Sequence, residues 1–260
     1  MGAGHGGAVG GGGLHHAGDS VAHRLPAETK LVATLGFVVA VVLTPSRAVP
    51  VLLLDGLLVL AVARSAGLPA GLVVRRLRVE LPFLAFAAFL PFAGADPRFE
   101  LAGLSLSEPG VWGAWNIAAK GTLGVLAAIV LGATTPVVEL LAGLERLRCP
   151  KVLTAIAGFM VRYLDVVTEE ATRMRLARLS RADDPRWLWQ ARGVAATAGT
   201  LFVRSFERGE RVHLAMVSRG YTGSLPGLHD HEAGGGAGAW AVAAAVPLVA
   251  TALLLGSRLW

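Results

Sequence analysis

The stretch AGGGAGAWAVAAAVPLVATALLLGS, residues 233–257, decides the fold: it is 25 residues long and holds no charged side chain. A helix that crosses the hydrocarbon core of a bilayer needs about 20 predominantly apolar residues, and this stretch has room for one. Working back towards the N-terminus, four more stretches share its character. Residues 109–138 carry a single charge, Lys120, and residues 81–95 carry none between Glu80 and Asp96. Residues 31–43 and 49–62 flank Thr44-Pro45-Ser46-Arg47, a turn signal, and read as a hairpin of two short spans, the second containing Asp55. Composition agrees: of 260 residues 54% are hydrophobic and 16% charged, with a mean hydropathy of +0.58. A soluble domain carries roughly 25% charged residues. The pattern predicts an all-α integral membrane bundle of about five spans, with lipid covering much of its surface. It excludes an ordinary soluble enzyme. A disulfide scaffold is excluded as well, because Cys149 is the sole cysteine, and no cage of several thiolates can form.

Charges between the apolar stretches orient the bundle. Arg64, Arg75, Arg76 and Arg78 stand against Glu80 between spans two and three, whereas Arg47 alone separates spans one and two. Between spans three and four, Arg98 faces Asp96, Glu100 and Glu108. Basic loops favour the cytoplasm. The expected topology is therefore multi-pass in the cell inner (plasma) membrane, with the N-terminus inside and the C-terminus outside.

Residues 139–232 differ in kind, with 14 of the 24 basic and 11 of the 18 acidic residues. After Met160, the apolar positions Tyr163, Leu164, Val167, Ala171 and Met174 recur at helical spacing. Glu169 and Arg173 form a favourable i, i+4 pair on another face. Asp183-Asp184-Pro185 ends this helix and starts another, expected from about Trp187 towards Arg219 with Gly220 as its C-cap. The expected organisation is a Gly/His-rich tail and lead-in over residues 1–30, spans one to four over 31–138, a cytoplasmic pair of long helices over 139–232, and a last span over 233–260.

Sliding the cytoplasmic segment by 38 residues exposes a repeat. EEATRMRLARLSRA (169–182) and ERGERVHLAMVSRG (207–220) agree at six of fourteen positions, including Ser180/Ser218 and Arg181/Arg219. Each copy is a helix that ends in an arginine followed by a small residue. The small residue permits close backbone approach, and the guanidinium offers a rigid fork of donors suited to carboxylates. Two such ends fit two equivalent acidic grooves, or they cap their own helices and face anionic lipid headgroups.

These residues resemble a known family. Ser180-Arg181-Ala182 and Ser218-Arg219-Gly220 are similar to the paired Ala-Arg-Gly-type signatures of the transmembrane T component of energy-coupling-factor (ECF) transporters. Residues 19–26 followed by Lys30-Leu31 resemble the start of the cobalt-type, CbiQ-like members. Thr134-Thr135-Pro136, then Leu144-Glu145-Arg146-Leu147-Arg148-Cys149-Pro150, then Arg162-Tyr163 and the stretch from Met216 to Tyr221 continue the resemblance in order. It implies a non-catalytic scaffold whose coupling helices seat in two ABC-type ATPase subunits. Ser180, Arg181, Ala182, Ser218, Arg219 and Gly220 become the ATPase-coupling residues. A separate metal-binding membrane subunit holds the cargo, most simply cobalt, with the same role in a nickel importer as the alternative. One departure stands out: the first signature ends in Ala182, where the pattern usually has glycine.

Other features are weighed against this reading. No G-x-x-x-x-G-K-[ST] occurs, so no cofactor is expected in this chain and ATP would be bound by a partner ATPase. The G-x-G-x-x-G at Gly2, Gly4 and Gly7 has no strand before it or helix after it. His15, His16 and His23, and His229-Asp230-His231, read as solvated segments rather than metal ligands, and His213 as a packing or surface residue. Trp187 and Trp189 read as interface anchors or as packing between the two long helices. Asp55 and Lys120, ionisable groups within spans, either pair, line a subunit interface, or lie near span ends and snorkel. A self-sufficient secondary transporter would need such groups as its ion site. Arginine excess is explained by inside loops and docking helices rather than by nucleic acid.

Overall fold

Prolines punctuate the chain. Pro26, Pro69, Pro136 and Pro150 each stand immediately before a helix, and Pro50 and Pro109 lie in first helical turns. Proline has no N–H to donate and presets a helical φ, so it suits a helix start and disfavours the interior. The computed structural model describes residues 18, 20–101, 104–181, 191–221 and 236–259. Its elements run α1 (Val21–Arg24), α2 (Ala27–Leu43), α3 (Val49–Ser65) and α4 (Ala70–Leu77), the last continuing through a 3₁₀ turn at Arg78–Glu80 into α5 (Leu81–Ala93). A two-stranded antiparallel ribbon follows, β1 (Arg98–Leu101) with β2 (Leu104–Ser107), which sets Arg98 opposite Ser107. Then come α6 (Glu108–Thr134), α7 (Val137–Arg146), α8 (Lys151–Leu179), α9 (Ala191–Val217) and α10 (Ala237–Leu259).

The expected helical class holds, with that short ribbon as its exception among the described residues. Ser107 ends the ribbon and caps α6: its hydroxyl oxygen accepts from the Gly110 N–H at 3.2 Å and donates to the Ala95 carbonyl at 2.5 Å. The expected fourth span stops short of Val138. Pro136 restricts the residue before it to extended backbone, and Thr135 has φ −139° and ψ 120°. The second long helix is described from Ala191. Residues 182–190, including Trp187 and Trp189, lie outside the described residues, as do His15, His16 and His229 to His231.

The chain divides into two compact units, one built on residues 14–147 with 232–260, the other on residues 148–231 with 1–13. In the first, α2 packs on α10, α6 and α7, α6 packs on α3 and α5, and α10 also touches α3. Its core joins Phe37, Ala40 and Val41 to Leu52 and Val59, Leu123, Leu126 and Ala127, and Ala250. The outside of this unit is also apolar. Phe83, Phe86 and Phe89 are 65%, 67% and 68% exposed along one face of α5, and Leu35, Leu57 and Leu248 are exposed likewise. A water-facing surface does not carry apolar patches on this scale; a lipid-facing one does.

Among the described residues, two helices are long and apolar enough to cross a membrane, Glu108–Thr134 and Ala237–Gly256. The helices at the first two expected spans, α2 and α3, have 17 residues each, which at 1.5 Å per residue is about 25 Å. That is close to the lower limit for spanning. α5 has 13 residues and needs its flanks to reach further. In the second unit, α8 and α9 form a pair of 29 and 27 residues.

Candidate functional site

The two copies of the repeat fold alike at their ends. In the first, α8 closes with the Ser180 N–H on the Leu176 carbonyl at 2.9 Å and the Arg181 N–H on Arg178 at 3.0 Å. In the second, the equivalent Ser218 N–H reaches Leu214 at 3.0 Å and the Arg219 N–H reaches Met216 at 3.0 Å. Both serine hydroxyls fold back onto their own helix, Ser180 Oγ to the Ala177 carbonyl at 2.9 Å and Ser218 Oγ to Ala215 at 3.0 Å. Two to three turns earlier, Glu169–Arg173 and Glu207–Arg211 occupy matching positions as ion pairs at 3.8 and 3.9 Å. The 38-residue repeat is therefore one of conformation as well as of letters.

The second copy is described one residue further. Gly220 has φ +84°, its N–H bonds to the Val217 carbonyl, and the Tyr221 N–H reaches back to Met216, both at 3.0 Å. This double closure needs a residue in the left-handed region, which glycine enters without strain. Gly220 is thus the C-cap that the sequence led one to expect. Its counterpart Ala182 lies outside the described residues.

What these ends present is a mixed surface. Arg181 and Arg219 are exposed. Beside each lies an apolar pair at equivalent positions: Leu176 and Leu179 are 60% and 40% exposed, and Leu214 and Val217 are 66% and 50% exposed. A cation next to exposed leucine or valine suits an acidic groove with an apolar floor, where the fork of the guanidinium engages carboxylates.

The two helices are held together by a contact that the sequence did not announce. Glu170 accepts from Arg173 on its own helix at 2.6 Å and from Arg204 of α9 at 2.5 Å. Hydrogen bonds from Arg173, then from Arg204, hold its carboxyl below the usual value of 4.5. The i, i+4 spacing predicts Arg173 with Glu169, which it does approach, but the shorter pair is with Glu170. Nothing in the spacing could reveal a partner 34 residues away. Of the expected apolar stripe, Tyr163 and Val167 line a groove against Val212 and Met216 of α9, together with His213. Met160 and Leu164 stay 69% and 45% exposed.

In the first unit the remaining family-like segments converge. Lys30 is buried, and its ammonium donates to the Thr134 carbonyl at 3.2 Å, to Thr135 Oγ1 at 3.1 Å and to the His23 carbonyl at 3.2 Å. Glu28, also buried, accepts from Arg146 at 3.0 Å. Gly143 lets α7 approach α2 so closely that a Cβ there would sit 2.8 Å from the Glu28 amide nitrogen. Residues more than 100 positions apart thus form one polar clasp at the start of α2, where α6 gives way to α7. Arg148, just beyond α7, has φ +66°, a conformation rare for a residue with a side chain.

The ionisable groups in the spans depart from the snorkelling expectation. Asp55 is 0% exposed, and neither carboxyl oxygen has a hydrogen-bond partner among the described residues. Lys120 does not pair with it, donating instead to the Val42 carbonyl at the end of α2 at 2.8 Å. Glu80, a loop acid by its sequence position, is buried instead and accepts from Thr122 Oγ1 at 3.0 Å, beside Gly121. His23 shares a 2.8 Å hydrogen bond with Ser20 Oγ. At the other end of α6, Arg47 approaches Glu108 at 3.7 Å and lies over the Trp112 ring at 5.8 Å, so the α2–α3 turn and the ribbon share one end of the bundle.

Comparison with known proteins places this geometry in a family context. Residues 18–228 match the family model described as CbiQ, cobalt transport protein. The cobalt transport protein CbiQ of Rhodobacter capsulatus is 30% identical over 166 residues, covering 60% of this chain and 67% of that protein. The energy-coupling factor transporter transmembrane protein EcfT of Acidaminococcus fermentans is 28% identical over 234 residues, 85% of this chain and 86% of the relative. An uncharacterized protein of Methanocaldococcus jannaschii is 34% identical over 109 residues, a match that spans 41% of its length.

Proposed function

Since the chain belongs to the CbiQ family of cobalt transport proteins, we propose that it is the transmembrane coupling subunit of an ATP-driven ECF importer of a divalent transition metal, cobalt first. The observation that carries this reading is the conformational repeat: two helix ends alike in backbone, serine hydrogen bond and exposed arginine. Two like ends suit two like partners. The partners are two ABC-type ATPase subunits, with Arg181 and Arg219 as the coupling cations. Ser180 and Ser218, folded onto their own helices, shape the ends, and Gly220 with Ala182 lets the partner backbone come close. ATP is bound by those subunits, and a third, membrane-embedded subunit holds the metal and decides between cobalt and nickel.

When the ATPases close on nucleotide, the two docked ends move relative to each other. A helix of 29 residues, such as α8, is about 44 Å long and transmits that motion as a rigid rod. Glu170 and its two arginines tie α8 to α9, which gives the two levers a common point about which their ends move. The motion reaches the bundle at the α7–α8 junction, where the clasp around Lys30 and Glu28 anchors α7 to α2. The bundle itself lies in the inner membrane with its basic loops and its N-terminus inside and its C-terminus outside, a topology supported by the loop charges and by the apolar exterior of the first unit.

The test is purification from the native membrane in mild detergent. The proposed role predicts that two ATPase copies and a small membrane subunit come with the chain. A chain that comes alone, and that moves cobalt into proteoliposomes without ATP, would instead be a self-sufficient secondary cation transporter.

A further inference from the structure

The first unit contains an open-sided cavity of about 210 Å³ between α2, α3, α6 and α10, to whose lining α1 contributes Ala22. Small side chains open it: Ala33 on α2, Ala127 on α6 and Ala243 on α10 lie where larger residues would fill the space. Of its four polar lining residues, Lys30, Thr34, Ser65 and Thr134, three spend their donors elsewhere. The Ser65 hydroxyl donates to the Val62 carbonyl, Thr134 Oγ1 to Val130, and the Lys30 ammonium to backbone and Thr135 oxygens. The rest of the lining is aliphatic or aromatic, so water finds few partners there. A mainly apolar space of this size favours an apolar guest over water.

The cavity also has an end with a sign. It lies at the start of α2 and the ends of α3 and α6, the bundle end that the loop charges assign to the cytoplasmic leaflet. Two lining residues, Leu25 and Ser65, are each preceded by an arginine, Arg24 and Arg64, and both arginines are exposed. Guanidinium groups engage phosphate oxygens bidentately, and the inner leaflet is the anionic one.

We propose that this cavity is a binding site for one anionic phospholipid, with an acyl chain in the space between Ala33, Ala127 and Ala243 and its phosphate on Arg24 and Arg64. The proposal rests on the reading of the first unit as membrane-embedded. The site would make α1 and α10, which both line it, dependent on the bound lipid.

The test uses the full chain, reconstituted into nanodiscs of phosphatidylglycerol or of phosphatidylcholine, extracted in mild detergent and weighed by native mass spectrometry. The wild type is expected to retain one phosphatidylglycerol, at least tenfold more often than one phosphatidylcholine. Ala33→Phe, which fills the cavity, and the surface pair Arg24→Ala/Arg64→Ala, which leaves it open, should each abolish that selectivity. Equal retention of both lipids by the wild type, or selectivity unchanged in the arginine pair, would overturn the site while leaving the membrane reading intact. A chain released from membranes by carbonate without detergent would overturn both.

Discussion

Single residues at the helix ends carry distinct and separable terms. Gly220 stands at φ +84°, and a Cβ added there meets no atom within 4 Å. Gly220→Ala therefore introduces backbone strain without a clash, and should destabilise the end of α9 by about 1–2 kcal/mol. Faster amide exchange confined to the α9 C-terminus would register it. Lys30 makes the opposite case, since its change strands partners rather than bending backbone. Lys30→Met leaves the buried Thr134 carbonyl and Thr135 hydroxyl without their donor, at a cost of about 1–3 kcal/mol, read as a lower unfolding temperature in detergent. Asp55 has no hydrogen-bond partner among the described residues, so Asp55→Leu gives up none of these and should raise that temperature. A marked fall would mean that the carboxyl has a partner in the assembled protein.

At the scale of elements, the helices were legible because their apolar runs are long and prolines mark their starts. α2, α3, α5, α6 and α10 stand where the hydropathy pattern puts apolar stretches. What could not be read was lateral. Glu28–Arg146 and Lys30–Thr135 join residues more than 100 positions apart, and local periodicity carries no information about such neighbours. The same holds for Glu170 and Arg204, whereas Glu169–Arg173 was legible because one helical turn fixes it. The end of α6 at Thr134 was legible in principle, from Pro136, but the hydropathy of Val137 and Val138 ran past it. Glu170 also gives the α8–α9 pair a pH dependence. Its carboxyl titrates lower when folded than the usual 4.5, so its contribution is complete above that value and is lost as pH falls through the depressed one. Exchange protection of α9 around Arg204 should fall over that acid range in the wild type. In Glu170→Gln the protection should be weak at every pH.

At the scale of the whole molecule, the composition signalled lipid, and the exposed phenylalanines of α5 show where lipid is wanted. The proposed coupling site is the part whose shape was most legible in the sequence, because a repeat is visible as letters before it is visible as geometry. Its proposed partner rests on family resemblance alone, since an exposed arginine does not name the carboxylate it meets. The central claim is that Arg181 and Arg219 together seat the ATPase subunits. The most direct measurement is cobalt uptake and ATPase retention by the assembled transporter carrying Arg181→Ala/Arg219→Ala. Both side chains are exposed at their helix ends, so the variant should reach the membrane at the wild-type level. It is predicted to lose ATPase subunits and uptake by at least tenfold; wild-type uptake with the ATPases still bound would contradict the account.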